Sequence, residues 1–499
     1  MTAVDLAVLA LYFVAVLGIG VRLRRGGRSS EAFMTAQGRL PGWLCGMSIL
    51  ATYVSSISFL ALPGSAYAFD WSRFAFSLSI PPAAWLAARH FTRLYRRQGE
   101  PSAYAFLESR FGLPARLYAS TFYLLTQLFR MGVILYLTAL PLSTLLNWPV
   151  WGLVSLLGLS VMIYCLLAGI EGVIWADAIQ GWVLTAGAVG AVAVLLAGMP
   201  GGPAQALELA VRDGKFSLGN FAPSFGEATF WVILLNGLFV NLQNFGIDQN
   251  YIQRYLAASS EREARRAVWL GGLLYLPLSA LFFLVGSCLY SFYQAQPGVL
   301  PAELPADQVF PWFIVHGLPP GVSGFLIAAV FAAAMSTLST SLNSSATVVL
   351  EDYFVRWRGT SLQESTRMLV LRSWTVLFAL AAVGVALLVM GARSALDAWW
   401  TGSSIFSGGM LGLFLLAWLF PRTSPHAALA GMLVGLAGIA WMTLSRTDLW
   451  TWASLPSSWA SPLHEWMVIV AGTLLILAGA VGGSRLAAVL ARLGRWRRI

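Results

Sequence analysis

A positively charged side chain stands inside one of the long apolar runs of this chain. Arg130 lies near the middle of the run STFYLLTQLFRMGVILYLTALPL, too far from either end to reach the surface easily. A cation buried in this way is energetically costly, so it marks a functional site by default. Its guanidinium suits a ligand carboxylate, which it can bind through two hydrogen bonds. An internal salt bridge with an acid such as Asp248 is the alternative.

A dense set of hydroxyl groups lies in the apolar segment FAAAMSTLSTSLNSSATVV. Ser336 and Thr340 are four residues apart, as are Thr337 and Ser341, so their oxygens stack in rows along a helix. Sodium is a hard cation that prefers hydroxyl, carbonyl and carboxylate oxygens as ligands. The pattern indicates a sodium site. Hydrogen bonding between helices, with no bound ion, is the alternative.

One acidic side chain, Asp177, also lies within an apolar run, about two helical turns into residues 171–198. An acid near the start of a helix can simply complement the helix dipole. If it faces the hydroxyl groups, it would instead supply an anionic ligand for a cation. The sequence leaves both interpretations open.

Other kinds of chemistry lack the residues that they need. The histidines and the cysteines form no cluster with metal-ligand spacing. No paired carboxylates, His/Asp motif or nucleophile and base predict catalysis, so we expect no enzyme and no catalytic residues. The net charge of +10 comes from short basic clusters between apolar runs, so nucleic acid is not expected as a partner.

The elements that position these side chains are expected to be membrane helices. Of the 499 residues, 58% are hydrophobic and only 10% are charged, and the mean hydropathy is +0.73. A soluble protein carries roughly 25% charged residues. No hydrophilic stretch is long enough to fold alone. We therefore predict an all-α membrane protein with short loops, embedded in a lipid bilayer.

About thirteen apolar runs are long enough to cross a bilayer, which takes about 20 helical residues. They cover residues 4–22, 41–68, 74–96, 115–146, 150–169, 171–198, 228–255, 265–295, 320–352, 368–391, 395–420, 424–444 and 463–492. Alternate loops are rich in arginine, and one of them holds Arg254, Arg262, Arg265 and Arg266. Because arginine and lysine are retained on the cytoplasmic side, we expect the N-terminus outside and the C-terminus inside the cell.

Two of these runs contain polar residues that favour an interrupted helix. The run 41–68 contains SILATYVSSISFLALPGSAY, a hydroxyl cluster followed by Pro63 and Gly64. The run 228–255 contains GLFVNLQNFGIDQNYIQRY, with amides and an acid crowded around Gly246. Irregular backbone within a membrane survives only where it lines a cavity or an ion site. Interrupted helices in corresponding positions of two halves indicate the central site of a transporter.

Four segments, in this order, resemble the sodium:solute symporter family: ILATYVSSISF, AGIEGVIWADAIQG, NLQNFGIDQNYIQRY and AAAMSTLSTSLNS. The resemblance covers residues 5–440 and implies a LeuT-like fold, a five-plus-five inverted repeat with broken first core helices. The repeats would be residues 41–198 and 228–420. Residues 1–40 would then be an N-terminal accessory helix and a cytoplasmic loop, and residues 421–499 C-terminal accessory helices and a basic cytoplasmic tail.

The resemblance also implies which residues hold sodium. A general sodium site, made of carbonyls of the first core helix and oxygens of the eighth, falls on Ala51, Val54, Ala333, Ser336 and Thr337. A second sodium site, similar to that of some members, falls on Asp177, Ser336, Ser339 and Thr340. One or two sodium ions would then be carried in each cycle.

Within the family, the closest resemblance is to bacterial sodium/sialic acid symporters. It rests on Ser55-Ser56-Ile57 before Ser58 and on Arg130 in the setting R-x-x-x-x-x-Y-L-T. The candidate substrate-binding residues are Tyr53, Ser55, Ser58, Ser77, Arg130, Asn241, Asn244 and Asp248. Three positions depart from the expected pattern: Tyr53 replaces a small hydroxyl residue, Ser77 a glutamine and Gly237 an aromatic residue.

We therefore expect a sodium-coupled symporter that imports a small carboxylated solute by alternating access. Sialic acid or a related sugar acid is the leading candidate. The alternative is a sodium or proton symporter for a neutral sugar, proline, a monocarboxylate or a vitamin-like solute. The protein is expected to act as a monomer in the bacterial cytoplasmic membrane.

Overall fold

The computed structural model describes residues 2–23, 29–301, 304–359, 362–390, 409–447, 450 and 455–496, and these residues fold almost entirely as helices. In chain order the helices are α1 Ala3–Arg22, α2 Ser30–Thr35, α3 Gly42–Tyr53, α4 Ser56–Ala68, α5 Phe74–Leu78, α6 Ile80–Leu86, α7 Thr92–Gln98, α8 Ala105–Phe111, α9 Leu113–Leu146, α10 Val150–Ala197, α11 Pro203–Arg212, α12 Phe230–Ile247, α13 Gln249–Ala257, α14 Glu261–Ala295, α15 Ala306–His316, α16 Val322–Val348, α17 Val355–Arg358, α18 Glu364–Val389, α19 Gly409–Leu419, α20 Pro425–Leu444 and α21 Val468–Trp496.

The helices include many that can cross a bilayer, but the predicted number of spans is not confirmed. Among the described residues, nine helices are long and apolar enough to cross, and α3 with α4 makes a tenth if this bent pair is one span. The predicted run 74–96 is divided into α5, α6 and α7, with a π turn at Ala87–Phe91. The predicted run 395–420 includes residues 395–408, which lie outside the described part of the chain.

Two predicted spans, 150–169 and 171–198, meet without a loop in α10. This helix has 48 residues, a length of about 72 Å, which is far more than one hydrocarbon core. Its backbone leaves the helical conformation at Gly169, where φ is 58° and ψ is −150°. A Cβ at this position would lie 2.8 Å from the Cα of Phe33. Glycine is therefore required both by the positive φ and by the close packing of α2 against the kink.

Both predicted helix interruptions are confirmed. The chain is extended at Val54 and Ser55, between α3 and α4, whose axes differ by 55°. It is extended again at Asp248, between α12 and α13. In each case the residue at the break caps the next helix, since Ser55 accepts from the Ser58 N–H and Asp248 from the Asn250 N–H. These caps restart the helix after a short stretch whose backbone groups are free for other partners.

The hydroxyl-rich helix α16 occupies the centre of the molecule. Every residue from Leu326 to Val348 is buried, and α16 packs against α3, α9, α10 and α18. A buried hydroxyl needs a hydrogen-bond partner, because leaving it unpaired costs free energy. The polar groups of α16 must therefore be satisfied by the helices around it, which brings them to the break in α3/α4 and to Asp177 on α10.

A loop residue secures the far end of the broken helix α4. The ammonium of Lys215, just after α11, donates to the carbonyls of Tyr67 and Phe69 at 2.7 and 2.9 Å. It also lies 3.9 Å from the ring centroid of Tyr290 on α14. Burial lowers the pKa of Lys215 from its usual value. The last carbonyls of α4, which have no partner within the helix, are thus capped by a cation.

Candidate sodium and substrate site

The oxygens predicted for the general sodium site gather between α3 and α16. The Ser336 hydroxyl donates to the carbonyl of Ala51 at 2.9 Å and lies 3.1 Å from the carbonyl of Ala333. The Thr337 hydroxyl reaches the same Ala333 carbonyl at 3.3 Å. Ala51 is one of the last residues of α3, so its carbonyl has no N–H partner within the helix. Val54, the fifth predicted ligand, is buried at the break in an extended conformation.

This arrangement has the chemistry of a sodium site. Two carbonyl and two hydroxyl oxygens converge in a buried position, and a hydroxyl that donates one hydrogen bond keeps its lone pairs for a cation. A hard cation accepts such neutral oxygens as ligands. The hydrogen bond from Ser336 to Ala51 joins α16 to the broken helix, so an ion bound here would join the same two elements.

Two of the hydroxyls predicted for a second sodium site, those of Ser339 and Thr340, lie at the carboxylate of Asp177 on α10. The Ser336 hydroxyl bonds instead to the carbonyls of the general site. The Ser339 hydroxyl lies 3.3 Å from one carboxylate oxygen, and the Thr340 hydroxyl lies 3.4 Å from the other. Asp177 is fully buried. Its role as a mere dipole partner at a helix start is not supported, because it faces the hydroxyl groups of α16.

The prediction missed the cation beside this carboxylate. Arg254, which was placed in a cytoplasmic loop, is fully buried on α13 and forms an ion pair with Asp177 at 2.9 Å. Its guanidinium also donates to the Ser48 hydroxyl at 3.0 Å and to the Asn250 carbonyl at 2.7 Å. Ser48 itself donates to Asp177 at 2.6 Å. The placement in a loop was wrong, because Arg254 belongs to the short helix that restarts after the break at Asp248.

The sequence held a weak signal for this pair. Arg254 follows the break by six residues, within QNYIQRY, where every side chain from Gln249 to Tyr255 proves buried. The positive-inside rule assigns an arginine near the end of an apolar run to a cytoplasmic loop. A buried arginine must be paired, and Asp177 was the acid in the membrane without an assigned partner.

A chain of polar groups lines the other side of the break in α3/α4. The Tyr53 hydroxyl donates to the side-chain carbonyl of Asn241 on α12. The Asn241 amide in turn donates to the Ser79 hydroxyl at 2.9 Å. The Tyr53 ring packs against Tyr275, with ring centroids 4.3 Å apart, and stacks on Phe245 at 5.9 Å. The structure therefore brings Tyr53 and Asn241 together, and it adds Ser79, Phe245 and Tyr275, which the sequence did not single out.

Arg130 on α9 is half-buried and forms no ion pair with any acid among the described residues. Its helix, α9, packs against α4, the half-helix that follows the first break. The carboxylate of Asp248 is used instead as the cap of α13. The expected alternative, a salt bridge between Arg130 and Asp248, is therefore not formed, and the guanidinium keeps its capacity for a ligand.

The remaining predicted substrate residues are placed differently from one another. Ser55 and Ser58 lie at the break itself, with their hydroxyl oxygens 3.3 Å apart. Asn244 is half-buried on α12, one turn after Asn241. Ser77 is buried on α5 and bonds to Ser279 on α14 at 2.7 Å. The Ser77 hydroxyl is therefore already satisfied by a neighbouring helix.

Comparisons with known proteins show the family of this chain. The sequence profile described as the sodium:solute symporter family matches residues 33–435. This chain belongs to the sodium:solute symporter family. A sodium/sialic acid symporter, NanT of Aliivibrio fischeri, is 32% identical over 445 residues, which cover 88% of this chain and 87% of the relative. The human sodium/iodide cotransporter is 31% identical and is covered over 70% of its length, with 89% of this chain aligned.

A solved structure is also similar over nearly the whole chain. It shows a Na⁺-coupled sialic acid symporter in a substrate-bound, outward-open state, and it is described as revealing a novel Na⁺ site. The TM-score is 0.89 at 29% identity, with 97% of this chain and 98% of that chain covered. The expected all-helical, LeuT-like fold is confirmed by this similarity. As a member of the family, the chain is a multi-pass membrane transporter of a small solute, coupled to sodium, and not an enzyme.

Proposed function

We propose that this symporter imports a small carboxylated solute, with sialic acid or a related sugar acid as the first candidate. The observation that carries the proposal is Arg130, a cation on the membrane helix α9, which packs against α4 beyond the first break. Arg130 has no acidic partner among the described residues. A guanidinium in such a place is best neutralised by a carboxylate, which it binds through two hydrogen bonds. NanT of Aliivibrio fischeri and the similar solved structure are both described as sodium-coupled sialic acid symporters.

The contacts of α16 with α3 and α10 support an assignment of the sodium ligands. We assign the general sodium ion to Ala51, Val54, Ala333, Ser336 and Thr337. A second sodium ion is assigned to Asp177, Ser336, Ser339 and Thr340. The solute is assigned to the space between Arg130 on α9 and the break in α3/α4, with Tyr53, Ser55, Ser58, Asn241, Asn244 and Asp248 around it, and Ser77 behind them.

Sodium and solute are coupled through the broken helix. An ion between the Ala51 carbonyl and the Ser336 hydroxyl would hold α3 against α16, and α3 ends at Tyr53, beside the proposed solute space. Sodium binding therefore favours the arrangement in which the solute site is complete. Since coupling between two sites is reciprocal, the solute raises the affinity for sodium by the same factor. Alternating access then moves the filled site from one side of the membrane to the other.

We propose that the protein acts as a monomer in the bacterial cytoplasmic membrane. The arginine-rich alternate loops support an orientation with the N-terminus outside and the C-terminus inside. Residues 41–198 and 228–420 are proposed as the two inverted repeats, since each begins just before a broken helix. The segments 1–40 and 421–499 are the accessory parts.

A smaller carboxylated solute, such as a monocarboxylate, is the second candidate, because the pocket departs from the sialic acid pattern at Gly237. A Cβ at this position would lie 2.6 Å from the Ser79 hydroxyl oxygen and 2.8 Å from the Phe76 carbonyl. The aromatic residue expected there does not fit, since α5 and α6 close the space. Tyr53, which is larger than the hydroxyl residue expected there, contacts the side-chain carbonyl of Asn241, whereas Ser79 contacts its amide. A pocket with these changes keeps the carboxylate clamp and alters the shape around it.

A thermal-shift screen of the purified protein tests the proposal directly. Sugar acids, neutral sugars, amino acids and monocarboxylates are each added with and without sodium. We expect stabilisation by a carboxylated solute only when sodium is present, because a ligand stabilises the state that it binds. Stabilisation by a neutral sugar or proline alone would replace the carboxylate proposal with the neutral-solute alternative.

A further inference from the structure

A groove opens on the surface of the molecule where α3 begins beside α14. It is a cavity of about 900 Å³, and its walls come from Trp43 at the start of α3 and from the first four turns of α14. Trp43 is 49% exposed, and Leu273 and Leu274 on α14 are 46% and 40% exposed. In a membrane protein, such exposed apolar side chains on a spanning helix face lipid.

The α14 side of the groove is a single stripe along the helix. Its residues are Arg262, Glu263, Arg265, Arg266, Trp269, Leu270, Leu273 and Leu274. Their spacing of three and four residues places them on one face of α14. The first turn of the stripe carries three arginines and one glutamate, and the next two to three turns are apolar. The stripe extends about 18 Å along the axis. This is the order of groups in a lipid, with a polar headgroup at one end and an acyl chain at the other.

The charges at the basic end are not all neutralised. Arg265 pairs with Glu261, and Arg266 pairs with Glu263. Glu263 is further engaged, since it accepts from the Gly42 N–H at the start of α3 at 2.8 Å. Arg262 is exposed and forms no ion pair among the described residues. One positive charge is therefore left over beside the groove, which matches the single negative charge of a phosphodiester.

We propose that this groove binds one anionic phospholipid of the surrounding leaflet. The phosphate lies at Arg262, the arginine left without an acidic partner among the described residues. An acyl chain runs over Trp269 and Leu273 toward the hydrocarbon core, with Trp43 closing the other wall. Basic pockets between membrane helices bind anionic headgroups, and tryptophan favours the headgroup level of the bilayer. Because Trp43 belongs to α3, whose last turn supplies the Ala51 carbonyl, the lipid braces the sodium-binding half of the broken helix against α14.

Native mass spectrometry of the full-length protein tests this site without sodium or solute, so its outcome is independent of the proposed transport function. The protein in detergent is titrated with phosphatidylglycerol and with phosphatidylcholine of the same acyl chains. We expect phosphatidylglycerol to be retained more strongly by the wild type. Arg262→Gln is expected to weaken that retention about fivefold, the effect of one arginine near a membrane surface. Since Arg262 is exposed, the variant is expected to fold.

Arg93→Gln is the matched control, because Arg93 is also exposed, lies on the same predicted side and forms no ion pair among the described residues. We expect it to leave retention unchanged. A second variant, Leu273→Ser, is expected to weaken retention of both lipids through the acyl wall. Equal retention of the two lipids by the wild type, or an equal loss in Arg93→Gln and Arg262→Gln, would overturn the proposal. Displacement of phosphatidylglycerol by millimolar inorganic phosphate would also overturn it, since the site would then be one for a free ion.

Discussion

Arg254 and Asp177 form an ion pair of 2.9 Å in the centre of the molecule, and neither side chain is exposed. The same carboxylate lies within hydrogen-bond distance of Ser339 and Thr340 on α16, the helix with the proposed sodium ligands. A sodium ion bound here would share Asp177 with the guanidinium and be repelled by it. The pair therefore couples the occupancy of the proposed second sodium site to the helix α13, which follows the break at Asp248.

Removing the charge of Arg254 is expected to destabilise the protein and to enlarge its response to sodium. In Arg254→Met the carboxylate of Asp177 is left buried without a cation, which costs about 3–5 kcal/mol. Sodium can then take the place of the guanidinium. Thermal unfolding measured with and without sodium checks both effects. The double variant Asp177→Asn/Arg254→Met is the control and should recover stability and lose the enlarged sodium response. An equal sodium response in the single and double variants would argue against an ion at Asp177.

The hydroxyl of Ser336 is expected to set the affinity of the general sodium site. Ser336→Ala removes the oxygen that links Ala51 to α16, and the loss of one ligand is expected to raise the sodium concentration for half-maximal uptake about tenfold. Uptake into proteoliposomes at varied sodium checks the shift. Ser345→Ala is the matched control on the same helix, because its hydroxyl has no hydrogen-bond partner among the described residues. A similar shift in both variants would show that Ser336 is not a sodium ligand.

Binding of the solute carboxylate at Arg130 is expected to weaken when a substitution keeps only the positive charge. Arg130→Lys retains a cation but loses the planar fork that binds a carboxylate through two hydrogen bonds. We expect at least tenfold weaker binding of an acidic solute, since hydrogen bonds to charged groups contribute about 1.5–3 kcal/mol. The methyl ester of the same solute is the control ligand. Both proteins should prefer the acid, because both keep a cation, but the wild type should prefer it by a larger factor than the variant. If the ratio of the two affinities is unchanged, Arg130 does not contact the carboxylate.

The contact between Tyr53 and Asn241 is expected to hold the solute side of the break in place. Tyr53→Phe keeps the ring among its aromatic neighbours but leaves the Asn241 carbonyl without its donor. An unsatisfied buried acceptor costs about 1–3 kcal/mol, so we expect a lower melting temperature and weaker solute binding. The double variant Tyr53→Phe/Asn241→Leu tests the pairing through a mutant cycle. Strictly additive effects of the two substitutions would show that the residues act independently.

Much of the fold could be predicted because lipid imposes simple rules on sequence. Helix type, the two interruptions and the buried hydroxyl face all follow from apolar length and misplaced polar residues. The number of spans could not be obtained in this way. Two predicted spans meet in the single helix α10 at Gly169 without a polar loop, and the run 74–96 breaks into short helices.

Some contacts of the candidate site could be predicted from the sequence, and others could not. The family resemblance implied that Ser336 and Ala51 share a site, and the structure joins them by a hydrogen bond. The pairing of Arg254 could not be predicted, since its charge and its position near the end of a run are those of a surface residue. The hydrogen-bond partner of Ser77 could not be predicted either, because its bond to Ser279 depends on how α5 packs against α14. Contacts between distant segments need the packing, which spacing along the chain does not contain.

The most direct test of the account is uptake of labelled sialic acid by the purified protein in proteoliposomes under an inward sodium gradient. We expect accumulation that requires the gradient, is abolished when potassium replaces sodium, and is lost in Arg130→Gln. Counterflow of labelled solute separates this carrier from a channel. Accumulation of a neutral sugar, proline or iodide in place of sialic acid and smaller carboxylates, with Arg130→Gln as active as the wild type, would contradict the central claim.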